Sequence, residues 1–515
     1  KTVQAFLAVS RFKGSFNRGK VSSCRSHGGN YQTLRVGLRA LMVHFQRARS
    51  ICRAGRCRRF FQSADVFLDH REAIHGKLKA RYEDFVVREV SQQGEVVELK
   101  DTDLATQWQK SSPGEVARLV LAKENRDVAD AIAMLAKHLE IDPREVRFNG
   151  LKDRRSISYQ HVSLPWHRLS LRALQRLSTG VSTWDPAVQL GDLRRGEHCR
   201  LGDLRGNHFT IVLRDVSLRH GTVAALLEQT QRAAEQLRGD GFVNYFGEQR
   251  FGGAMRPSPA VGAALLQKDF RRACEVMVCQ MHEATASNAQ LPALFAAAKF
   301  AALRAALPRR CAAERRLLRR LERGEGFEAA LEEQKMLGRL FFLRSFTSHV
   351  WNQVVTRRLQ RFGSRVFPED RVIDGLDGTS GPQLRHVLLP LPDTASAAVP
   401  QLPQAVREIY EEVLTEAKLD PPGQRPSLSV PWRRLVAQPE LLRCRLVAYE
   451  EPVERLVLSA MDTLKGRKLE DGINPLESHK SLQDPRYGII MELQLSAGEY
   501  ATVAVREFMQ CSPQN

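Results

Sequence analysis

Acidic residues are missing from the first 64 positions of this 515-residue chain, which hold 14 Lys and Arg. Such a segment cannot balance its own charge, and residues 1–70 read as an extension rather than a folded unit. CxxC pairs are also absent. Nine cysteines, an odd number in a long chain, argue against a disulfide framework and for a reducing compartment. Cys24-x-x-His27 and Cys52-x4-Cys57 match no familiar zinc-finger spacing, so free thiols are expected. No run approaches the ~20 apolar residues of a membrane-spanning helix. No long amphipathic helix carries aromatic anchors, so a membrane partner is not expected. No repeat recurs at solenoid spacing.

What is present is size and positive charge. A chain of this length exceeds one ordinary core, and two or three folded units are expected. Its 78 Lys and Arg outnumber 58 Asp and Glu, a net +20 that points to a polyanionic partner. The first 64 residues supply 14 of those charges and the other 451 only six. An acid-free segment rich in Arg and Ser has the composition of a mitochondrial transit segment, which would place the protein in the matrix. It also suits a solvated basic arm on RNA phosphates, in mitochondrion, nucleus or cytoplasm.

Folded sequence begins near His75. Phe85-Val86-Val87 has strand composition. Val128, Ile132, Leu135 and Leu139 fall at helical spacing. Val146–Phe148 reads as a short strand ending in the turn Asn149-Gly150. His208–Leu213 alternates Phe209, Ile211 and Leu213 inward, and Val223–Leu237 reads as a helix. Residues 75–250 thus suggest an α+β or α/β core. Residues 255–360 look helical, including Phe341–Leu359 and Ala312–Gly324. Arg315, Arg319 and Arg323 line one side of the latter, a solvated face or an RNA contact. Residues 378–432 are Pro-rich and read mainly as loop. Met491–Leu495 alternates like a strand, and Tyr500–Phe508 reads as a helix.

The chemistry concentrates in Phe148–Gln160, FNGLKDRRSISYQ. Asp153 follows a strand and turn and stands among Lys152, Arg154 and Arg155. These cations favour a carboxylate, repel a metal ion and attract a phosphate backbone. An ionised carboxylate there can be a nucleophile or a base; taken alone, the run reads first as a surface turn with weak ion pairs.

GLKDRR followed by Gln160 resembles the signature of the tRNA pseudouridine synthase D (TruD) family. Four further segments match in family order: Leu78–Val87 (LKARYEDFVV), Gly206–Thr210 (GNHFT), Asn244–Gly252 (NYFGEQRFG) and Ala497–Phe508 (AGEYATVAVREF). Asn352-Gln353 and Asp374-Gly375 also fit. The resemblance implies an α+β fold: a pseudouridine synthase core, a mixed sheet with flanking helices, interrupted by a TruD-type insertion. The core would be 75–252 with 484–510, and the insertion 253–483. It implies an isomerase converting uridine to pseudouridine in tRNA or rRNA, with one essential aspartate and neither cofactor nor metal. Asp153 matches that aspartate, as nucleophile or as the base that deprotonates the sugar.

The target uridine would be flipped from its stack into a pocket. Lys79 matches a family lysine that positions phosphate or carboxylate. Lys152 and Arg154 flank the aspartate. Phe209 and Tyr500 match aromatic positions that could stack the base, although for a strand aromatic alone core packing is the favoured role. Asn207 could hydrogen-bond the base edge, and Arg250 could meet phosphate beside the tight turns of Gly247 and Gly252. Ser156-Ile157-Ser158 stands where the family often has Ala-Val-Thr, and Tyr500 where bacterial members have Phe. A contrasting expectation is a catalytically idle relative that binds RNA in ribosomal assembly intermediates; the intact Asp153 motif favours chemistry.

Overall fold

A computed structural model describes residues 66–511, apart from residues 101 and 310 and segments 109–113, 179–184, 253–256, 281–289, 333–335, 374–380, 393–401, 418–431, 468–473 and 476–484. The basic extension up to residue 65, the Cys24–Cys57 cluster and Asp374-Gly375 lie outside the described residues.

The fold is α+β. The first seven strands are β1 (His75–Leu78), β2 (Phe85–Val90), β3 (Val116–Glu124), β4 (Arg147–Phe148), β5 (Ile157–Pro165), β6 (Val188–Gly196) and β7 (Gly206–Ser217). Strands β8 (Phe242–Val243), β9 (Leu388–Pro390), β10 (Trp432–Arg434) and β11 (Val436–Ala437) make two small side ladders. Strands β12 (Leu441–Tyr449), β13 (Asn474–Pro475) and β14 (Arg486–Ser496) return to the main sheet. Its order is β13-β12-β14-β7-β2-β5-β3-β6, with β1 beside β7 and β4 beside β5. Only β2 and β5 pair in parallel among the described strands.

Strand β7 is the hub, with β2 and β14 on its two sides. The one-sided alternation expected there holds for Phe209, Ile211 and Leu213, but Val212 and Arg214 on the other face are buried as well. The reason is a second layer: Leu456, Val457 and Met461 pack with Val86, Tyr159, Val447 and Ile490. Both faces of the sheet are therefore covered. The alternating strand near the C-terminus, β14, is an interior strand, with Met491, Leu493 and Leu495 fully buried.

Three helices follow the expected patterns. Val128–Leu139 buries Val128, Ile132, Leu135 and Leu139 against β3, β5 and β6. Val223–Gly239 starts at Thr222, whose hydroxyl accepts from the Ala225 N–H. Ala501–Met509 begins one residue later than the sequence suggests. The last two back the sheet beside Leu213 and Leu493.

The described residues of 258–362 are mainly helical and hold a separate core around Val261, Cys274, Leu317, Leu318 and Phe342. On the Arg-rich helix Ala312–Glu322, Arg315 turns inward and donates to the Arg304 and Leu307 carbonyls, which closes the preceding helix. Arg319 and Arg323 are exposed. Residues 378–432 differ from the expectation of loop. Gln404–Glu416 is a helix that buries Val406, Ile409, Tyr410 and Val413. That helical spacing was present, but the prolines on both sides obscured it. Strand β12 falls in the stretch read as insertion, yet it pairs with β14 from Leu441 to Tyr449. It belongs to the sheet because its alternate residues Leu442, Leu446 and Ala448 need that burial.

Candidate active site

The site forms where the parallel pair begins. Strands β1 and β2 pair with successive parts of β7, and residues 79–84 loop out between them. Lys79 opens that loop with φ at +55°, a left-handed turn out of the sheet. Residues 149–156 run into β5. Because Val86 pairs with Ile157, the two loops emerge side by side at the same sheet end. Lys79 Nζ thus reaches Asp153 Oδ2 at 2.5 Å across 74 positions of sequence.

Both loops are anchored from beneath. Asp84 makes a buried bidentate pair with Arg214 of β7 and accepts from the Arg81 N–H. The Asp153 loop is held almost residue by residue. Gln160 Nε2 donates to the Gly150 carbonyl at 3.1 Å, and Lys152 Nζ donates to Asn207 Oδ1 at 2.6 Å. The Asp153 carbonyl accepts from Lys123 Nζ and Ser156 Oγ, each at 2.7 Å. Arg155 donates to the Ala80 carbonyl at 2.8 Å, which ties the two loops together.

This anchoring leaves Asp153 accessible, with its side chain 24% exposed. The ammonium of Lys79 lies 4.0 Å from the centre of the Phe85 ring. Phe85 meets Phe209 edge-on at 5.9 Å. The two rings make an apolar floor under a cation and a carboxylate. Tyr500 is edge-on to Phe246 at 6.2 Å. Arg250 and Arg433 lie over Phe246 at 5.4 and 4.1 Å. Arg433 also donates to Asn244 and to the Gly498 carbonyl, joining the NYFG and AGEY segments.

Electrostatics follows from burial. Lys123 sits inside β3 without solvent contact, and burial pulls its ammonium down to about 8, against the pull of the Asp153 charge. Burial works against Glu89 too, but His161, Lys152 and Asn149 outweigh it and hold Glu89 below the usual carboxylate range. Glu89 thereby supplies the counter-charge for buried Lys152, 3.4 Å away. Burial pushes the Tyr500 phenol up, despite Arg250 and Arg433, and the Asp153 charge adds to the rise.

The residues singled out in the sequence separate into groups. Two contacts are made directly, Lys79 with Asp153 and Lys152 with Asn207. Tyr500 is near enough for the Asp153 charge to act on its phenol. Phe209 is buried in the core at 7% exposure and supports Phe85 from the side. Arg250 is turned toward the long helix, donating to Ser348 Oγ at 3.0 Å. Arg154 is exposed. Gly247 differs from the tight turn expected: its φ is −78°, and a Cβ there would meet the Tyr500 ring at 2.8 Å. Gly252 does turn with φ at +80°.

Sequence reasoning passed over Lys123, Phe85, Glu89 and Arg433. Lys123 carried a signal, a lone cation at the end of the apolar run LVLA. Arg433 carried none, because only the fold brings it beside Asn244.

Comparison with known proteins gives a consistent result. A family model described as tRNA pseudouridine synthase D (TruD) matches residues 63–398. The pseudouridylate synthase 7 homolog of Mus musculus is 31% identical over 432 residues, covering 78% of this chain and 60% of that protein. The multisubstrate pseudouridine synthase 7 of Schizosaccharomyces pombe is 28% identical over 446 residues, covering 78% and 63%. The chain thus spans a little over three-fifths of these relatives at most. A crystal structure described as tRNA pseudouridine synthase D (TruD) from Methanosarcina mazei superposes with a TM-score of 0.54 at 19% identity. It covers 87% of this chain and 96% of that one, a likeness of fold.

Proposed function

Because the chain belongs to the tRNA pseudouridine synthase D (TruD) family, we propose that it isomerises uridine to pseudouridine in RNA with Asp153 as the essential carboxylate. The observation that carries this reading is the Lys79–Asp153 pair above Phe85, held on two anchored loops and open to solvent on one side.

The reaction breaks the bond from ribose to uracil N1, turns the base and joins the ribose to C5, with C5 losing its proton and N1 gaining one, so that the product is an isomer. A base held in a stack cannot turn, so the nucleotide must leave the stack first. Phe85 is buried beneath the Lys79–Asp153 pair, and the half-buried Tyr500 offers an aromatic surface to receive it. Lys79 keeps the Asp153 carboxylate in one orientation, and Lys123 and Ser156 fix its main chain. A carboxylate held in this way can attack the ribose or remove a proton from it. Asn207, already accepting from Lys152, retains its amide N–H groups for a uracil oxygen. In this reading the sheet, with β12 included, is the catalytic core. The helical residues 258–362 and the segment after them, up to the return into the sheet, are an insertion.

The finer assignments rest on the resemblance for the RNA and on composition for the address. Transfer RNA or ribosomal RNA is the proposed substrate, with ribosomal assembly intermediates as further partners. The acid-free first 64 residues support a mitochondrial matrix address.

The test is single-turnover conversion of mitochondrial tRNA and rRNA transcripts, with RNA binding measured alongside at fixed salt. Wild type should convert a uridine, and Asp153→Ala should bind within about threefold, under ~0.7 kcal/mol, yet convert none. Equal binding with no conversion by either protein would favour an RNA-binding role instead.

A further inference from the structure

Two large apolar side chains stand in solvent beside the site. Leu151, two residues before Asp153, is 66% exposed, and Leu201 is 72% exposed. They sit on adjoining loops. The Gly202 N–H donates to the Asn149 carbonyl at 2.7 Å, and a Leu204 methyl lies 3.9 Å from the Cβ position of Gly150. Neither leucine packs in a core. Yet the loop that carries Leu151 is among the most firmly anchored in the molecule, through Gly150, Lys152, Asp153 and Arg155. A rigid loop that presents leucine to water forgoes the burial that leucine normally gains. That cost is recovered only if something apolar and flat arrives.

The surroundings identify the arrival. Arg154, Arg155 and Arg200 are exposed on the same two loops, and Arg147 is exposed at the head of the first. Glu197 and Asp203 are the acids on the second loop, and Gln92 donates to Asp203. Leucines ringed by cations suit a nucleic acid, whose bases are apolar plates between anionic backbones. Two residues span at most ~7 Å, so the leucine and the Asp153 carboxylate can engage one nucleotide together.

We propose that Leu151, flanked by Leu201, is a wedge that enters the RNA stack where the target uridine leaves, and holds the nucleotide out while Asp153 acts on it. The wedge fills the gap with apolar surface and so offsets the unstacking cost. Leu151 is a positioning residue, because it touches neighbouring bases rather than reacting atoms. The proposal rests on the pseudouridine synthase reading, and its test separates the two.

Two substrates decide it: a tRNA stem-loop with 2-aminopurine 3′ to the uridine, and a linear oligonucleotide of the same sequence. Leu151→Ala should slow single-turnover conversion of the stem-loop by about tenfold or more and of the linear RNA by less than about threefold, because only the former must be unstacked. Leu201→Ala should show the same selectivity with a smaller effect. Leu151→Met, which keeps a long apolar side chain, should restore the stem-loop rate, and Leu171→Ala, exposed elsewhere, should change neither rate. The 2-aminopurine fluorescence that rises when wild type binds should rise less with Leu151→Ala. Equal slowing on both RNAs, or no slowing on either, would overturn the wedge. If wild type converts neither RNA, the enzyme reading fails. The wedge is then judged by fluorescence alone, and an equal rise with wild type and Leu151→Ala would overturn it.

Discussion

Lys123 shows what a single buried cation costs and supplies. Its ammonium sits in β3 without solvent and donates to the Asp153 carbonyl. Burial lowers it from 10.5 to about 8, so the folded state holds its proton less tightly than the unfolded chain does. Between about 8 and 10.5 the unfolded chain therefore binds more protons, and stability rises with pH across that window. Below about 8 the penalty is fully present. Lys123→Met should raise stability at pH 7 by roughly 1–2 kcal/mol, discounted for the lost hydrogen bond. It should also flatten the rise above pH 8 and slow conversion by about tenfold or more, since Asp153 loses one main-chain anchor. Thermal unfolding from pH 7 to 10, beside single-turnover rates, checks all three. A variant less stable at pH 7 would mean that the hydrogen bond outweighs the buried charge.

Among the elements, the ladder between β7 and β14 carries the site from behind. It runs from Ile489 opposite Leu213 to Ser496 opposite Gly206. At its end the chains approach so closely that a Cβ on Gly206 would lie 2.1 Å from the Leu495 carbonyl oxygen. Glycine is required there by contact with backbone, which cannot swing aside as a side chain could. Gly206→Ala should cost roughly 2–4 kcal/mol and loosen Asn207, the next residue, from Lys152. Chemical denaturation would measure the loss. Restoring the missing stability with an osmolyte would test whether conversion falls through Asn207 as well as through unfolding. The helix Gln404–Glu416 illustrates the opposite case, an element whose pattern is ordinary and whose flanks are not.

Across the whole molecule, charge is distributed unevenly, with 14 of 20 net positive charges in the first 64 residues. Two roles for that segment differ in salt dependence. A segment that contacts RNA releases counterions, and each phosphate neutralised adds about 0.7–0.9 to the slope of log affinity against log salt. If the arm binds RNA, deleting residues 1–64 should lower that slope by several units. If it is only an address, the slope should stay within about one unit and localisation alone should change. Titrations of both proteins at several salt concentrations distinguish the roles.

Much was legible in the sequence because it is local. The aspartate motif, the alternation of β7 and β14, the helix Val128–Leu139 and the helical stretch after residue 255 follow from neighbours a few positions apart. So does the family, since its motifs are short runs in fixed order. Other features depend on pairing that no local pattern encodes. Lys79 meets Asp153 because β2 and β5 run parallel and start together. Glu89 balances Lys152, and Arg433 reaches Asn244, across 63 and 189 positions of sequence. Phe209 serves the floor from within the core because Phe85, on the neighbouring strand, takes the position under Lys79. The sequence by itself settled which residues could carry the chemistry, through residue type and local spacing. The tertiary structure alone decided which of them meet at one site, which support it, and which leucines were left in water beside it, because register between distant strands sets those distances.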